Sequence, residues 1–391
     1  MEQDVFYMRK AIELAKKGLF TTDPNPRVGC VIVKDGEILG EGYHVQAGQP
    51  HAEVYALRQA GLLSVGATAY VTLEPCSHYG RTPPCAHALI NAGIKRVVVG
   101  MEDPNPQVHG NGIRALKEAG IEIALSVCEK EVRALNPGFI ARFTQGKPFV
   151  RLKMGASLDG RTAMASGESK WITSTEARLD VQYLRARSAC IITGINTVIK
   201  DAALLSVRPE TWTESSVIYP RVDFSFGQEG YFVRQPLRII LDSQFMIEAS
   251  HPIFAQPGKT IIVVGDWRDF SALNAAKVAA KKAVWPESEQ SEVWCLPISK
   301  EGIDLVFLLQ KLAQMQINEV LVEAGSTLAG SFLSAHLVDE CVLYLAPKFL
   351  GSTARPLVGV TIDRLQDALQ FTVRDISKIG SDIKVTLIST C

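Results

Sequence analysis

Residues 67–101, ATAYVTLEPCSHYGRTPPCAHALINAGIKRVVVGM, begin and end with short apolar runs. Between the runs lie a polar, proline-rich segment with two cysteines and a helical stretch that stops at Gly93. A strand, a helical crossover and a second strand make the strands parallel, because a tight hairpin joins only antiparallel neighbours. Downstream, NGIRALKEAG (111–120) and IEIAL (121–125) repeat the unit, so strands at 67–73, 95–101 and 121–125 are expected side by side. Upstream, VGCVIVKDGEILGEGYH (28–44) reads as two strands around Asp35-Gly36, a pair that tolerates the positive φ of a hairpin turn. An amphipathic helix precedes this hairpin, and HAEVYALRQAG (51–61) is a helix closed by Gly61. EKEVRALNPGFIARF (129–143) reads as a closing helix interrupted at Pro137. The first third is therefore an α/β domain with an α/β/α layered arrangement.

Gly146 and Pro148 in TQGKP break the chain before FVRLKMGASLDG, which places the boundary between residues 1–146 and 147–391. A second α/β set follows, with buried-strand runs ACIITG, LRIILDS, TIIVVGD and NEVLVEAG. Residues 211–236 carry aromatics, prolines and glycines without period and are read as a long loop.

The 391 residues are 47% hydrophobic, and 41 basic residues balance 41 acidic ones. No summed charge draws the chain to nucleic acid or to a membrane surface, so a small-molecule substrate is expected. No signal-peptide pattern or long apolar run appears, and the expected location is cytoplasmic. Eight cysteines in such a chain do not make a secreted disulfide framework, and most read as small core residues.

Two of them read differently. Catalytic zinc commonly has three protein ligands and an open position for water. His51 and Glu53 lie at a helix start in PHAE, and Cys76 and Cys85 flank the segment after a predicted strand. Pro83-Pro84 suits the first turn of a helix, whose N-terminus favours the thiolate of Cys85. His51, Cys76 and Cys85 thus form a candidate Zn²⁺ triad, with Glu53 free to move protons in a hydrolytic deamination. The pattern departs from H-x-E…P-C-x-x-C in its eight-residue spacer, SHYGRTPP. A structural zinc site or a pair of core thiols are the bland readings. His78 as a fourth ligand would leave Glu53 idle. Residues two apart on a helix point about 200° apart, so the metal must sit off the helix end.

The chain resembles the bifunctional riboflavin-biosynthesis deaminase/reductases of bacteria. The resemblance rests on PNPRVGCVIV, HAEVYAL, TLEPCSHYGRTPPC and DPNPQVHG, then on KMGASLDGRTAMASGESKWI, VEAGSTLAGSFL and APKFLG. The long cysteine spacer belongs to that family's pattern. The resemblance implies a cytidine-deaminase-like fold for the first domain and a dihydrofolate-reductase-like fold for the second. It implies loss of the 2-amino group of 2,5-diamino-6-ribosylamino-4(3H)-pyrimidinone 5′-phosphate, then NADPH-dependent reduction of the ribosyl group to ribityl. It places Asn25, Ser77, His78, Thr82, Asp103 and Asn105 around the first substrate, with Arg81 suited to its phosphate. On the cofactor side it puts Gly155, Trp171, Thr197, Asp201 and Ser243, and the run Gly325, Ser326, Thr327, Leu328, Ala329, Gly330, Ser331. On the reductase substrate side it puts Ser169, Arg185, Leu205, Arg208 and Glu323.

Read without the resemblance, NEVLVEAGSTLAGSFL is a strand running into a helix with Ser326 as N-cap, a place where backbone N–H groups meet a pyrophosphate. Arg185 and Arg208 suit phosphates, or are solvated or ion-paired surface arginines. GNGIRA (110–115) fits G-x-G-x-x-A but follows a loop, so the dinucleotide reading fails on context. His87 on a helix, His251 before a proline and His336 at a helix end are read as packing or solvated residues. A base deaminase with a nucleic-acid-binding half, and an inactive assembly partner, are the competing functions. The sequence leaves homo-oligomerisation open.

Overall fold

The computed structural model describes residues 2–77, 84–208, 234–268, 270–286 and 288–390. His78, Arg81, Thr82 and most of the 211–236 segment lie outside the described residues. Two compact units emerge, one ending at Gly146 and the other starting at Lys147.

In the first unit, α1 (Glu2–Lys16) is followed by β1 (Gly29–Lys34), β2 (Glu37–Tyr43), α2 (Ala52–Ala60), β3 (Thr68–Val71), α3 (Cys85–Asn91), β4 (Arg96–Val99), α4 (Asn111–Glu118), β5 (Glu122–Ala124), α5 (Glu129–Arg133) and α6 (Pro137–Gln145). The sheet order is β2-β1-β3-β4-β5. β3, β4 and β5 are parallel, and β1 runs antiparallel to β2 and β3. Asp35 (φ 53°) and Gly36 (φ 87°) both take the left-handed conformation that a two-residue hairpin needs. Alternation along the strands divides the core. Cys30, Ile32, Val71 and Val97 face α2, α3 and α4. Val31, Val33, Tyr70 and Val98 face α1, α5 and α6. Pro137 begins a separate helix at its first position, where its missing N–H costs no intrahelical bond, instead of interrupting one helix.

In the second unit, β6 (Phe149–Ser157), β7 (Arg161–Ala163), α7 (Thr175–Arg187), β8 (Cys190–Gly194), α8 (Ile195–Asp201), β9 (Leu237–Leu241) and β10 (Thr260–Gly265) come first. Then follow α9 (Ala272–Ala283), β11 (Ser291–Leu296), β12 (Ile298–Ser299), β13 (Gly302–Ile303), α10 (Leu305–Gln314), β14 (Glu319–Glu323), α11 (Ser326–Ser334), β15 (Glu340–Ala346), β16 (Arg355–Pro356), β17 (Phe371–Ile379) and β18 (Asp382–Ser389). The main sheet has the order β11-β10-β9-β8-β14-β6-β15-β18-β17. Its strands are parallel from β11 to β15, and β18 and β17 close it antiparallel. Helices α10 and α11 cover one face, and α7, α8 and α9 cover the other. Both faces being covered explains the continuous apolar runs of β8, β10 and β14.

Three sequence expectations change in detail. Gly325, not Ser326, is the N-cap of α11, and as a glycine it offers no capping side chain. His336 lies two residues past the end of α11, in the left-handed region (φ 52°). Among the cysteines read as core, Cys30, Cys190 and Cys341 are buried but Cys295 is exposed. No described helix is long and apolar enough to cross a membrane.

Candidate active sites

The first site lies at the C-terminal ends of the parallel strands, where crevices form in α/β sheets. Helix α2 is brought there by glycines of β2. A Cβ on Gly40 would lie 2.1 Å from the carbonyl oxygen of Ala56, and one on Gly42 2.2 Å from that of Ala52. The helix therefore lies directly on the strand, with its N-terminus fixed. His51 is the N-cap, in extended conformation (φ −76°, ψ 166°), and Glu53 sits in the first turn. Because His51 stands outside the helix, its ring and the Glu53 carboxyl are not forced to opposite sides.

His51 Nδ1 lies 3.2 Å from Cys85 Sγ and 3.6 Å from Cys76 Sγ. The three donor atoms all fall within 4.8 Å of one another. Donors around one tetrahedral zinc, at about 2.3 Å for sulfur and 2.0–2.1 Å for nitrogen, are separated by about 3.5–3.8 Å. Two thiols and an imidazole at this spacing fit Zn²⁺. Cys85 opens α3 after Pro84, and its backbone N–H points to Cys76 Sγ at 3.4 Å.

Charge within this cluster is uneven. Hydrogen bonding from the Cys85 thiol, with help from His51, pulls Cys76 down to about 4 despite its burial. Donation to Cys76, together with burial, pushes Cys85 up. The N–H at the start of α3 points to Cys76 Sγ, and both sulfurs become thiolates when they ligate a metal. The hydrogen bond with Cys76 raises His51 to about 8. Glu53 is 3% exposed, its Oε2 has no hydrogen-bond partner among the described residues, and burial pushes its carboxyl above the usual range. A buried carboxyl with a raised pKa and a vacant oxygen is equipped to take up and return a proton.

The other predicted residues of this unit occupy flanking segments. Asn25 Nδ2 is 3.1 Å from Nε2 of His44, whose Nδ1 is 3.1 Å from the Pro50 carbonyl, and the His44 and His51 rings meet edge to face at 5.4 Å. Ser77 follows Cys76, while Asp103 and Asn105 lie on the loop after β4, where Asp103 Oδ1 accepts the Asn105 N–H at 2.8 Å. His44 was missed in the sequence, where nothing marks it except its place at the end of a strand.

The second unit holds an open cavity of about 1880 Å³. It is lined by Gly155, Ser169, Trp171, Arg185, Thr197, Asp201, Leu205, Arg208, Ser243 and Glu323, and by Gly325–Leu328, Gly330 and Ser331. Ala329 does not line it; it is fully buried in the core beneath α11. A Cβ on Gly330 would lie 2.5 Å from the Gly359 carbonyl oxygen, so this glycine lets a loop close onto the helix. A Cβ on Gly325 would meet nothing within 4 Å. The space before the first N–H groups of α11 is open among the described residues, and a helix start of this kind favours a phosphate such as those of NADPH.

Arg185 donates from Nε and Nη2 to Glu323 at 2.6 and 2.9 Å, and from Nη1 to the Ser206 carbonyl at 3.1 Å. Arg185 is thus ion-paired on the cavity wall. Ser169 Oγ reaches Asp201 at 3.4 Å, and Arg178 stacks on Trp171 at 4.3 Å. Lys153 also lines the cavity; burial lowers its pKa and Glu323 opposes that effect. Sequence reading missed Lys153 because a lysine inside an apolar strand looks like an edge charge.

Comparison with known proteins agrees with this geometry. Residues 148–385 match the RibD C-terminal domain, and residues 1–101 match the cytidine and deoxycytidylate deaminase zinc-binding region. The riboflavin biosynthesis protein RibD of Escherichia coli is 50% identical over 99% of both chains, and that of Haemophilus influenzae is 46% identical over 98% of this chain and 97% of its own. A structure of Acinetobacter baumannii RibD superposes with a TM-score of 0.84 at 45% identity, covering 100% of this chain and 99% of that one. A Thermotoga maritima structure described as a diaminohydroxyphosphoribosylaminopyrimidine deaminase/5-amino-6-(5-phosphoribosylamino)uracil reductase gives 0.81 at 32% identity, with 99% of each chain covered. With a cytidine-deaminase-like unit joined to a reductase unit, the chain belongs to the RibD family, the bifunctional zinc- and NADPH-dependent deaminase/reductases of riboflavin biosynthesis.

Proposed function

We propose that residues 1–146 remove the 2-amino group of 2,5-diamino-6-ribosylamino-4(3H)-pyrimidinone 5′-phosphate as ammonia, and that residues 147–391 then reduce the ribosyl group to ribityl. The observation that carries the first half is the approach of His51, Cys76 and Cys85 beside a buried Glu53 with a vacant oxygen. His51 Nδ1 and the two sulfurs would hold Zn²⁺. Bound zinc supplies Lewis acidity and brings the pKa of water toward neutrality. Glu53 takes one proton from the attacking water and gives it to the ring nitrogen, then takes the second from the hydroxyl left on the attacked carbon and gives it to the departing amine. Asn25, Ser77, Asp103 and Asn105, together with His78 and Thr82, orient the pyrimidine and its sugar phosphate.

In the second half, the first N–H groups of α11 and Gly325–Ser331 receive the phosphates of NADPH, with Gly155, Trp171, Thr197, Asp201 and Ser243 along its length. Ser169, Leu205, Arg208 and Glu323 face the ribotide. Arg185 holds the Glu323 carboxylate through two hydrogen bonds, so its part is to orient that group. NADPH supplies the hydride, and the residues align donor and sugar. Thiol ligation and a nicotinamide cofactor both suit the reducing cytoplasm.

The test is to supply the diaminopyrimidine ribotide and follow ammonia release and NADPH oxidation in the same sample, with RNA as a competing substrate. Ammonia followed by stoichiometric NADPH loss is expected. Ammonia from RNA alone points to the base-deaminase reading, and silence in both channels to the assembly-partner reading.

A further inference from the structure

The helix start in GNGIRA does receive an anion, and the anion is a side chain of this protein. Glu74 leaves β3 two residues before Cys76 and is 3% exposed. Its Oε2 accepts the N–H groups of Asp103 at 3.2 Å and Gly110 at 3.0 Å, and its Oε1 accepts those of Gly112 at 2.9 Å and Ile113 at 3.2 Å. The last two belong to the first turn of α4, whose N–H groups have no partner within the helix. The N-cap of α4 is Gly110, which has no side chain to serve them.

A second contact supports the same junction. A Cβ on Gly112 would lie 1.9 Å from the Pro75 carbonyl oxygen, so the Glu74-Pro75 segment rests on the helix start closely enough to exclude any side chain. The Glu74 N–H also donates to the Met101 carbonyl at 3.0 Å. One carboxylate therefore joins the strand end that continues into Cys76 and Ser77 to the loop that carries Asp103 and Asn105. That loop is braced internally, with Asn105 Oδ1 accepting the Gln107 N–H at 3.1 Å.

We propose that Glu74 is a positioning residue of the deamination, which sets the separation between the metal-ligand segment and the loop facing the pyrimidine ribotide without touching the substrate. This rests on the deaminase reading above. All four partners are donors, so a carboxylate serves where an amide, with one acceptor oxygen and one donor nitrogen, serves half of them.

The experiment uses the full-length zinc-loaded enzyme and the Glu74→Ala variant, with ammonia release measured on the diaminopyrimidine ribotide in the presence and in the absence of formate. Loss of several buried hydrogen bonds to a charged acceptor should raise the deamination KM by about tenfold or more. The change in kcat should be smaller, zinc should stay near one equivalent, and NADPH oxidation on the deaminated ribotide should be unaltered. Formate, an anion that fits between the same N–H groups, should bring the KM of the variant back toward wild type and leave the wild type as it was. An unchanged KM, zinc loss in step with activity, or a raised KM indifferent to formate would each overturn the proposal. Should Glu74→Ala not fold, Glu74→Gln keeps the volume and carries the same KM comparison, with an intermediate rise expected and no rise overturning the idea. Wild-type enzyme that releases no ammonia defeats the deaminase reading itself; a wild type that does, matched by the variant, defeats only the role of Glu74.

Discussion

Glu53 shows how one side chain is prepared by its surroundings. It belongs to the first turn of a helix that two glycines of β2 hold against the sheet, it is almost fully buried, and one carboxyl oxygen has no partner among the described residues. Burying an unsatisfied carboxyl is costly, and such a cost persists where the group has chemistry to perform. Replacing Glu53 with Gln keeps the shape and removes the proton carrier. Ammonia release should fall by at least about 10²–10⁴-fold, while metal analysis still finds zinc near one equivalent. Loss of zinc in that variant would make Glu53 a ligand instead. The pairing of His51 and Glu53 was legible in three letters of sequence because both belong to one local turn. Glu74, from the neighbouring EPC triplet, was not, because its four partners lie 29 to 39 residues further along the chain.

At the scale of elements, α1 is fastened to the sheet by charge as well as by Met8, Ala11 and Ile12. Arg96 on β4 donates to both oxygens of Asp4 at 2.7 and 3.0 Å and also reaches Glu122 on β5 at 2.9 Å. The Asp4 side chain is 17% exposed, and the hydrogen bonds from Arg96 hold its carboxyl below the usual 3.8. A folded-state pKa below the unfolded one stabilises the fold above the unfolded value, and the contribution is lost as pH falls through the folded value. Asp4→Asn should therefore lower stability by about 1 kcal/mol at neutral pH and low salt, less at high salt. In urea titrations the gap between wild type and variant should close as pH drops below about 4. A gap that persists at the lowest pH would show packing, not charge, to be responsible. The apolar runs of β8, β9, β10 and β14 were readable in advance, whereas β15, equally apolar, was passed over. β17 was not readable, since a register shift between Val373 and Asp375 breaks its period-two pattern, and its middle residues are exposed on both faces.

The whole molecule consists of two units, each with its own sheet, its own two-sided core and its own site. Independent sites predict independent damage. Arg208 lines the cavity of the second unit, and its backbone N–H donates to Gln182 at 3.0 Å. Arg208→Ala should reduce NADPH oxidation on the deaminated ribotide by about tenfold or more through loss of a charged partner, with ammonia release within twofold of wild type. Equal loss of both activities would argue that the two reactions share a site.

Sequence alone determined the parallel α/β layering and the meeting of one imidazole with two thiols, because both follow from local period and from motifs at the ends of neighbouring strands. Only the tertiary structure decided that Arg185 spends its guanidinium on Glu323, 138 residues away, that Lys153 enters the cavity, and that the helix start of GNGIRA is occupied by Glu74. Those outcomes depend on which buried charge finds which partner in three dimensions. Burial removes water as the alternative partner, and a linear pattern of residue types carries no record of that choice.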